Sequence, residues 1–304
     1  MDRFAQLQVF VAVAEEQGFA AAARRLKQSA PAVTRAVAGL EAHLGVKLLS
    51  RTTRYVRVTE AGERFLEDAR RILAELAAAE EAAAGINATP RGRLVVTAPL
   101  MFGRRFVMPG IVEYLQRYPE VQVDALFLDR TVNLMEEGVD VGVRIGDLPD
   151  SSMRALRVGS IRRVLVASPT YIASRGTPES PRALPLHTLV ASSAGNFAPG
   201  WRFHFPDGEQ HVRVRPRLTV TSNDAAIEAA LQGFGITRLL SYQAADEIAA
   251  GQLVTLLEDF EPPPSPVHII HRSGPGSPGK LRAFIDLIAG RLRGEPALGH
   301  PAAP

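Results

Sequence analysis

The chain has 304 residues, of which 46% are apolar and 22% charged, with a formal net charge of +3 and no cysteine. That length suits one small and one larger domain, and the apolar share excludes wholesale disorder. Without cysteine there can be no disulfide framework, thiolate zinc site or thiol redox switch.

No apolar run approaches the roughly 18–20 residues of a membrane span. The opening MDRFAQLQVF lacks a charged-then-apolar leader, so no membrane partner and a cytoplasmic location are expected. Charge is unevenly spread. Through Val58, Arg3, Arg24, Arg25, Lys27, Arg35, Lys47, Arg51, Arg54 and Arg57 face only Asp2, Glu15, Glu16 and Glu41. From Thr59 to Pro90 acids outnumber bases, and the remainder is near neutral. A basic head on a neutral body is the layout expected when only the head meets phosphate.

In chain order, Phe4, Leu7, Phe10, Val11 and Ala14 repeat at helical spacing, and Gly18 is expected to end that helix. Ala20–Leu26 reads as a short second helix. Ser29 is a candidate N-cap and Pro31 suits a first turn, so a third helix is predicted from Pro31 to Leu44, burying Val33, Val37, Leu40 and Leu44. Gly45 closes it. Two short β-prone segments around the basic turn Ser50–Arg54 predict a hairpin, or wing.

Thr59 opens a long helix to about Ala84. Phe65, Leu66, Ala69, Ile72, Leu73, Leu76, Ala79 and Ala83 form its apolar stripe, which predicts a coiled-coil homodimer. Gly85, Asn87, Pro90 and Gly92 mark a boundary.

Beyond Arg93 strands and helices alternate. Strands are predicted at Leu94–Thr97, Val121–Leu128, Val139–Ile145, Arg162–Ala167, His211–Thr221, Gly235–Leu240, Leu253–Leu256 and Val267–His271. Helices are predicted at Arg105–Tyr118, Val132–Glu137, Asp224–Gln232, Tyr242–Ala250 and Lys280–Arg293. This alternation predicts an α/β architecture with largely parallel strands. A stiff Pro-rich crossing at Glu261–Pro266 and a frayed tail from Gly294 are also expected.

An enzyme is the main reading from another class. Ser192-Ser193 lies in no nucleophile-elbow glycine pattern. His268 and His271 sit three apart on a strand-like segment, where their rings point to opposite faces, a poor metal pair. Gly233-Phe234-Gly235 follows a helix rather than a strand, and Gly274–Gly279 has prolines where phosphate-cradling N–H groups are needed. No cofactor is expected. An exported solute-binding protein would suit the second half but not the basic head, and a structural DNA-binding protein would leave the α/β half unexplained.

Ser29, Pro31, Ala32, Thr34 and Arg35 begin the third helix. If it is the second helix of a helix-turn-helix, Thr34 and Arg35 can hydrogen-bond bases or phosphates, while Pro31 and Ala32 can pack on thymine methyls. By themselves these residues fit an ordinary capped helix as well.

Read together, the neighbouring residues resemble the LysR-type regulator signature. Phe10–Glu15, Gly18–Ala23, Leu26, Ser29–Arg35, Leu40-Glu41, Leu44-Gly45, Leu48–Arg51 and Val58–Gly62 hold register without a gap from Phe4 to Gly62. Leu49 and Ala30 depart mildly from the pattern, and Ala30 bears on which base is read. The second half resembles the family's sensor domain at Leu94–Pro99, Phe102–Arg104, Arg117–Pro119, Asp129-Arg130, Asp140–Gly146, Val164–Pro169, Trp201, Ser222–Asp224 and Gly233–Ile236. The subgroup it suggests is that of the regulator CrgA.

The resemblance implies an α plus α/β chain in three parts. They are a winged helix-turn-helix DNA-binding domain (1–58), a linker and dimerisation helix (59–90), and a two-lobed effector-binding domain similar to periplasmic binding proteins (91–304). It implies DNA contact at Ser29, Pro31, Ala32, Thr34 and Arg35, with Arg51 and Arg54 on the wing. A small organic effector, an anion by chemistry, would lie between the lobes, lined by Thr97, Phe102, Arg144, Gly146, Ser192, Trp201 and Asn223. Trp201 equally suits a core and Arg144 a structural ion pair. The implied partners are double-stranded promoter DNA and a second copy of the chain, with dimers pairing into tetramers.

Overall fold

The computed structural model describes residues 2–51, 56–84, 89–130, 132–148, 153–194, 200–272 and 278–299. It divides into two compact units, Met1–Ala88 and Thr89–Pro275 continued by Lys280–Pro304. Arg54, the side chains of Arg51, Ala79 and Ala83, the boundary residues Gly85 and Asn87, and most of the Gly274–Gly279 loop lie outside what is described.

In the first unit, α1 (Arg3–Glu16), α2 (Phe19–Arg25) and α3 (Ala30–Leu44) enclose Phe10, Val13, Val33, Val37 and Leu40. The turn after α1 is made by Gln17 in the left-handed region (φ 50°), not by Gly18, whose φ of −171° is extended. Lys27 (φ 52°) makes the corresponding reversal between α2 and α3. Ser29 caps α3, its Oγ accepting from the Ala32 N–H, and Gly45 ends that helix at φ 70°. Leu44 was expected inside but is 38% exposed, because the last turn runs past the core. The hairpin forms from β1 (Leu49–Arg51) and β2 (Val56–Val58), paired antiparallel.

Helix α4 (Glu60–Ala84) starts against this hairpin. The Thr59 hydroxyl donates to the Lys47 carbonyl at 2.7 Å and accepts from the Gly62 N–H at 3.0 Å. A Cβ on Gly62 would stand 2.1 Å from the Leu48 carbonyl oxygen, so no other residue fits there undistorted. The first half of the predicted stripe finds its partner inside the unit. Ala69 is fully buried, Phe65, Leu66 and Leu73 pack on the head core, and the Phe65 and Phe10 ring centroids lie 5.7 Å apart. Within the same stretch Ile72 remains 36% exposed.

The second unit has two lobes. Lobe I is a sheet of β3 (Gly92–Ala98), β4 (Val121–Phe127), β5 (Val141–Ile145), β6 (Arg154–Ile161) and, returning late in the chain, β14 (Ser265–His271), in the order β4-β3-β5-β14-β6. Its helical segment runs from α5 (Leu100–Phe102) through a π-helical turn (Gly103–Val107) to α6 (Met108–Arg117).

Lobe II contains β7 (Arg163–Ala167), α7 (Pro169–Arg175), β8 (Leu189–Ser192), a hairpin of β9 (Gly200–Phe205) and β10 (Gly208–Arg213), β11 (Leu218–Val220), α8 (Asn223–Leu231), β12 (Ile236–Leu240), α9 (Ala245–Ala249) and β13 (Val254–Leu256). Its sheet order is β11-β8-β12-β7-β13. The chain then closes on lobe I with α10 (Gly279–Arg293), whose Phe284 meets Tyr114 of α6 edge to face at 5.2 Å.

Each sheet is mixed rather than purely parallel. Four strands run one way and one runs against them, β14 in lobe I and β7 in lobe II, each being the strand by which the chain enters from the other lobe. Val132–Glu137 forms turns rather than a helix. His211–Thr221 is split between β10 and β11. The tail is not frayed as far as Gly299. Leu298 is fully buried, and the Ser160 N–H and hydroxyl both donate to the Gly299 carbonyl.

Candidate functional site

On the head, α2, the Lys27 turn and α3 form a helix-turn-helix. Alternation along α3 buries Val33, Ala36 and Val37 and leaves Ser29, Pro31 and Arg35 exposed, with Ala32 and Thr34 half-buried beside them. The five residues picked from sequence thus share the outer face of the first turns of one helix. Among the described residues Arg35 has no ion pair, so its guanidinium is free for an outside acceptor. Ser29 is already engaged, since its oxygen caps the helix.

Two carboxylates that sequence reading gave no structural role hold this head together. Glu15 accepts from Arg25 of α2 at 2.8 Å and from Arg70 of α4 at 2.9 Å, tying three helices. Its burial opposes ionisation, but these guanidinium groups outweigh it and hold the carboxyl below its ordinary range. Glu41 is 7% exposed. One oxygen accepts from the N–H groups of Leu48 (3.0 Å) and Leu49 (3.1 Å), the other from Lys47 Nζ (2.6 Å). Burial is again overcome, by Lys47 and the two backbone donors, and the pKa is lowered. Glu41 therefore fixes the root of the wing to α3.

In the second unit the proposed effector contacts fall into two groups. Thr97 is completely buried, its hydroxyl donating to the Leu126 carbonyl at 2.8 Å within the lobe I sheet. Phe102 is also completely buried, stacked with Phe106 and set edge-on to Tyr242 at 5.5 Å. Tyr242 follows β12, so this aromatic group is a seam between lobes rather than an open wall. Arg105 fastens the same seam with a two-pronged bond to Asp246 of α9 at 2.7 and 2.8 Å. Trp201 is 4% exposed in the lobe II core, with the Arg238 guanidinium 5.1 Å from its ring centroid.

The second group keeps accessible surface. Gly146 ends β5 at φ 111° with open space where a side chain would be. Arg144 is half-buried and donates to the carbonyls of Val143 and Val132, with no ion pair among the described residues; burial lowers its pKa. Ser192 ends β8, its hydroxyl accepting from the Ala194 N–H at 3.1 Å. Asn223 is the first residue of α8, and the N-cap is its neighbour Ser222. In lobe I, the Leu100 N–H at the start of α5 is taken by Asp129 Oδ1 at 3.0 Å, a contact sequence reading missed.

The lobes are joined by two crossings. Arg162 alone separates β6 from β7, and residues 257–264 return from β13 to β14. Arg162 bonds both oxygens of Glu261 at 2.8 Å and approaches Glu258 at 3.3 Å, clamping one crossing to the other. No described helix is long and apolar enough to cross a membrane, and no group of three metal-ligating side chains occurs among the described residues.

The family model described as bacterial regulatory helix-turn-helix protein, lysR family, matches residues 4–63, and the LysR substrate binding domain matches residues 87–293. The chain is 32% identical over 288 residues to the transcriptional regulator CrgA of Neisseria meningitidis serogroup B, covering 94% of this chain and 96% of the relative. It is 33% identical over 290 residues to the regulator PtxR of Pseudomonas aeruginosa, covering 95% and 93%. The solved structure of CrgA from Neisseria meningitidis is similar with a TM-score of 0.61 at 32% identity, over 95% of this chain and 98% of that one. Full-length AphB, a virulence activator of Vibrio cholerae, gives a TM-score of 0.61 at 26% identity, over 95% and 99%. With a helix-turn-helix head and a two-lobed substrate-binding body matched along nearly its whole length, the chain belongs to the LysR-type transcriptional regulators, which bind DNA and respond to effectors and are not enzymes.

Proposed function

We propose that this regulator acts in the cytoplasm as a homodimer through α4 and recognises a partly palindromic promoter site. The exposed Ile72 on α4 supports the dimer, because an apolar side chain left open on a long helix gains most from a like partner. Two copies of α3 then enter successive major-groove faces, about 34–36 Å apart. Pro31, Ala32, Thr34 and Arg35 face the bases, Ser29 caps the helix beside a phosphate, and Arg51 and Arg54 on the wing reach the backbone and minor groove. Pairing of dimers into a tetramer follows the same reading.

The effector is a small organic anion seated between the lobes. Gly146, Ser192 and Asn223 stand at two strand ends and a helix start, positions that favour a carboxylate. Arg144 adds positive charge, while Thr97, Phe102 and Trp201 support the seat from behind. The effector acts by preferring one setting of the seam of Phe102, Arg105, Tyr242 and Asp246, and it must therefore bind the two settings unequally.

The single observation that carries the DNA reading is the exposed first face of α3 with Arg35 unpaired. The test is binding of the full chain to its own upstream DNA against unrelated competitor over a salt series. Retained preference for the upstream fragment supports specific recognition; uniform binding that vanishes with salt leaves only electrostatics and sinks the reading. For the cleft, Asn223→Ala that leaves the effector response intact removes that residue from the seat.

A further inference from the structure

Lobe II holds a group of cations that neither the DNA head nor the cleft residues above account for. Arg163 and Arg238 lie on the antiparallel pair β7–β12, where Arg163 is opposite Leu240 and Arg238 opposite Leu165. Strand alternation puts both guanidinium groups on the sheet face that also carries Leu165 and Ile236 and packs against Trp201. Arg202 follows Trp201 on β9, where alternation turns it to the exposed side of the hairpin, so it stands outside the inner pair. Like charge is felt among all three, since Arg202 acts on Arg163, and both act on Arg238.

Arg163 and Arg238 are half-buried, and among the described residues neither has a hydrogen bond or an ion pair. The recorded neighbour of Arg238 is the face of Trp201 at 5.1 Å. Arg202 reaches Glu209 at 3.5 Å, with both side chains more than two-fifths exposed, so that acid sits at the rim and does not neutralise the inner pair. Burial and the neighbouring cations push the Arg238 pKa down to about 9. Guanidinium ions taken out of water are elsewhere matched by a carboxylate or phosphate, because an uncompensated buried charge is costly and the planar fork binds two oxygens at once. Among the described residues the fold supplies the inner cations without a counter-charge.

We infer that Arg163 and Arg238 form a binding site on lobe II, beside Trp201, for a small oxyanion bearing a carboxylate or phosphate group. The two guanidinium groups hold its oxygens and the indole forms the apolar wall. The inference concerns lobe II alone and holds whether or not this anion is the one that alters DNA binding.

Trp201 is the only tryptophan of the chain, so its fluorescence reports on the site directly. The full protein is titrated separately with succinate and with inorganic phosphate, at ionic strength matched by sodium chloride. A saturable change in emission with either, absent with chloride, is expected, and which anion gives it separates a carboxylic acid from a phosphorylated ligand. Arg163→Met keeps the Arg238–Trp201 contact and thus the reporter; it should weaken binding about tenfold or more, the loss of one charged hydrogen-bonding group.

A second reading covers misfolding. Without added anion, Arg163→Met and Arg238→Met should melt no lower than the parent, because each relieves repulsion, and the anion should raise the melting temperature of the parent more than that of either variant. No saturable response to either anion, an undiminished response in Arg163→Met, or a clear fall in melting temperature for both variants without anion would each overturn the proposal.

Discussion

Glu41 offers the sharpest test of how the head is held together. Its carboxylate receives two buried backbone N–H groups and one ammonium, and Glu41→Ala strips all three at once. A hydrogen bond to a charged acceptor contributes about 1.5–3 kcal/mol, and the two orphaned donors remain buried at the wing root, so the alanine variant should lose about 3–5 kcal/mol. Glu41→Gln keeps a carbonyl oxygen for both N–H groups and gives up mainly the charge, which costs about 1–2 kcal/mol. Lys47 is 77% exposed, so Lys47→Met should cost under about 1 kcal/mol.

The assay is thermal unfolding of the full protein, following the head transition, where each kcal/mol moves the midpoint by about 4–8 °C in a unit of this size. Hydrogen exchange at the Leu48 and Leu49 amides reads the same bonds locally. The reasoning also fixes a pH dependence. Because the folded pKa of Glu41 is lowered, its contribution is full above the unfolded carboxyl value of about 4.3 and is lost as pH falls through the folded value. Glu41→Gln should therefore flatten the acid limb of the stability curve. Equal losses in the alanine and glutamine variants, with Leu48 and Leu49 exchanging as slowly as before, would refute this account.

Other outcomes follow from single contacts. Gly62→Ala forces a methyl group against the Leu48 carbonyl and should destabilise the head by about 3 kcal/mol or more, read by denaturant unfolding; a change within experimental error would mean α4 can shift freely. Arg35→Ala, at an exposed position, should alter stability by under about 0.5 kcal/mol. It should nonetheless cut the preference for upstream DNA by about 1–3 kcal/mol in competition binding, and an unchanged footprint removes Arg35 from the interface. Arg162→Met leaves Glu258 and Glu261 facing each other at the crossings; faster hydrogen exchange at residues 161–163 and 258–261 is expected, and unaltered protection there would show that the clamp is ornamental.

The head was legible from sequence because its signals are local. Ser29 caps the helix it precedes, Gly45 supplies the left-handed turn that ends it, and the spacing of Val33, Val37 and Leu40 marks the buried face. Even so, the left-handed residue after α1 proved to be Gln17, since Gly18 is used as the extended N-cap of α2. The lobe strands with strong apolar runs, such as β3 and β12, were legible too. Strands β6, β8 and β9 were not, because their residues alternate or mix polar and apolar types and depend on neighbours far along the chain.

The sequence by itself determined the helix-turn-helix, the order of domains, the outward face of α3 and the family. Those features rest on residues within a few positions of one another. The tertiary structure alone decided that each sheet is mixed, that the early α4 stripe is spent on α1, that Phe102 and Trp201 are buried, and that Leu298 pins the tail. It also brought Glu41 to the wing root, Arg162 to Glu261 and Arg163 to Arg238. Each of these joins groups well separated in the chain, and pairing of that kind is set by strand register and packing, which local propensity does not encode.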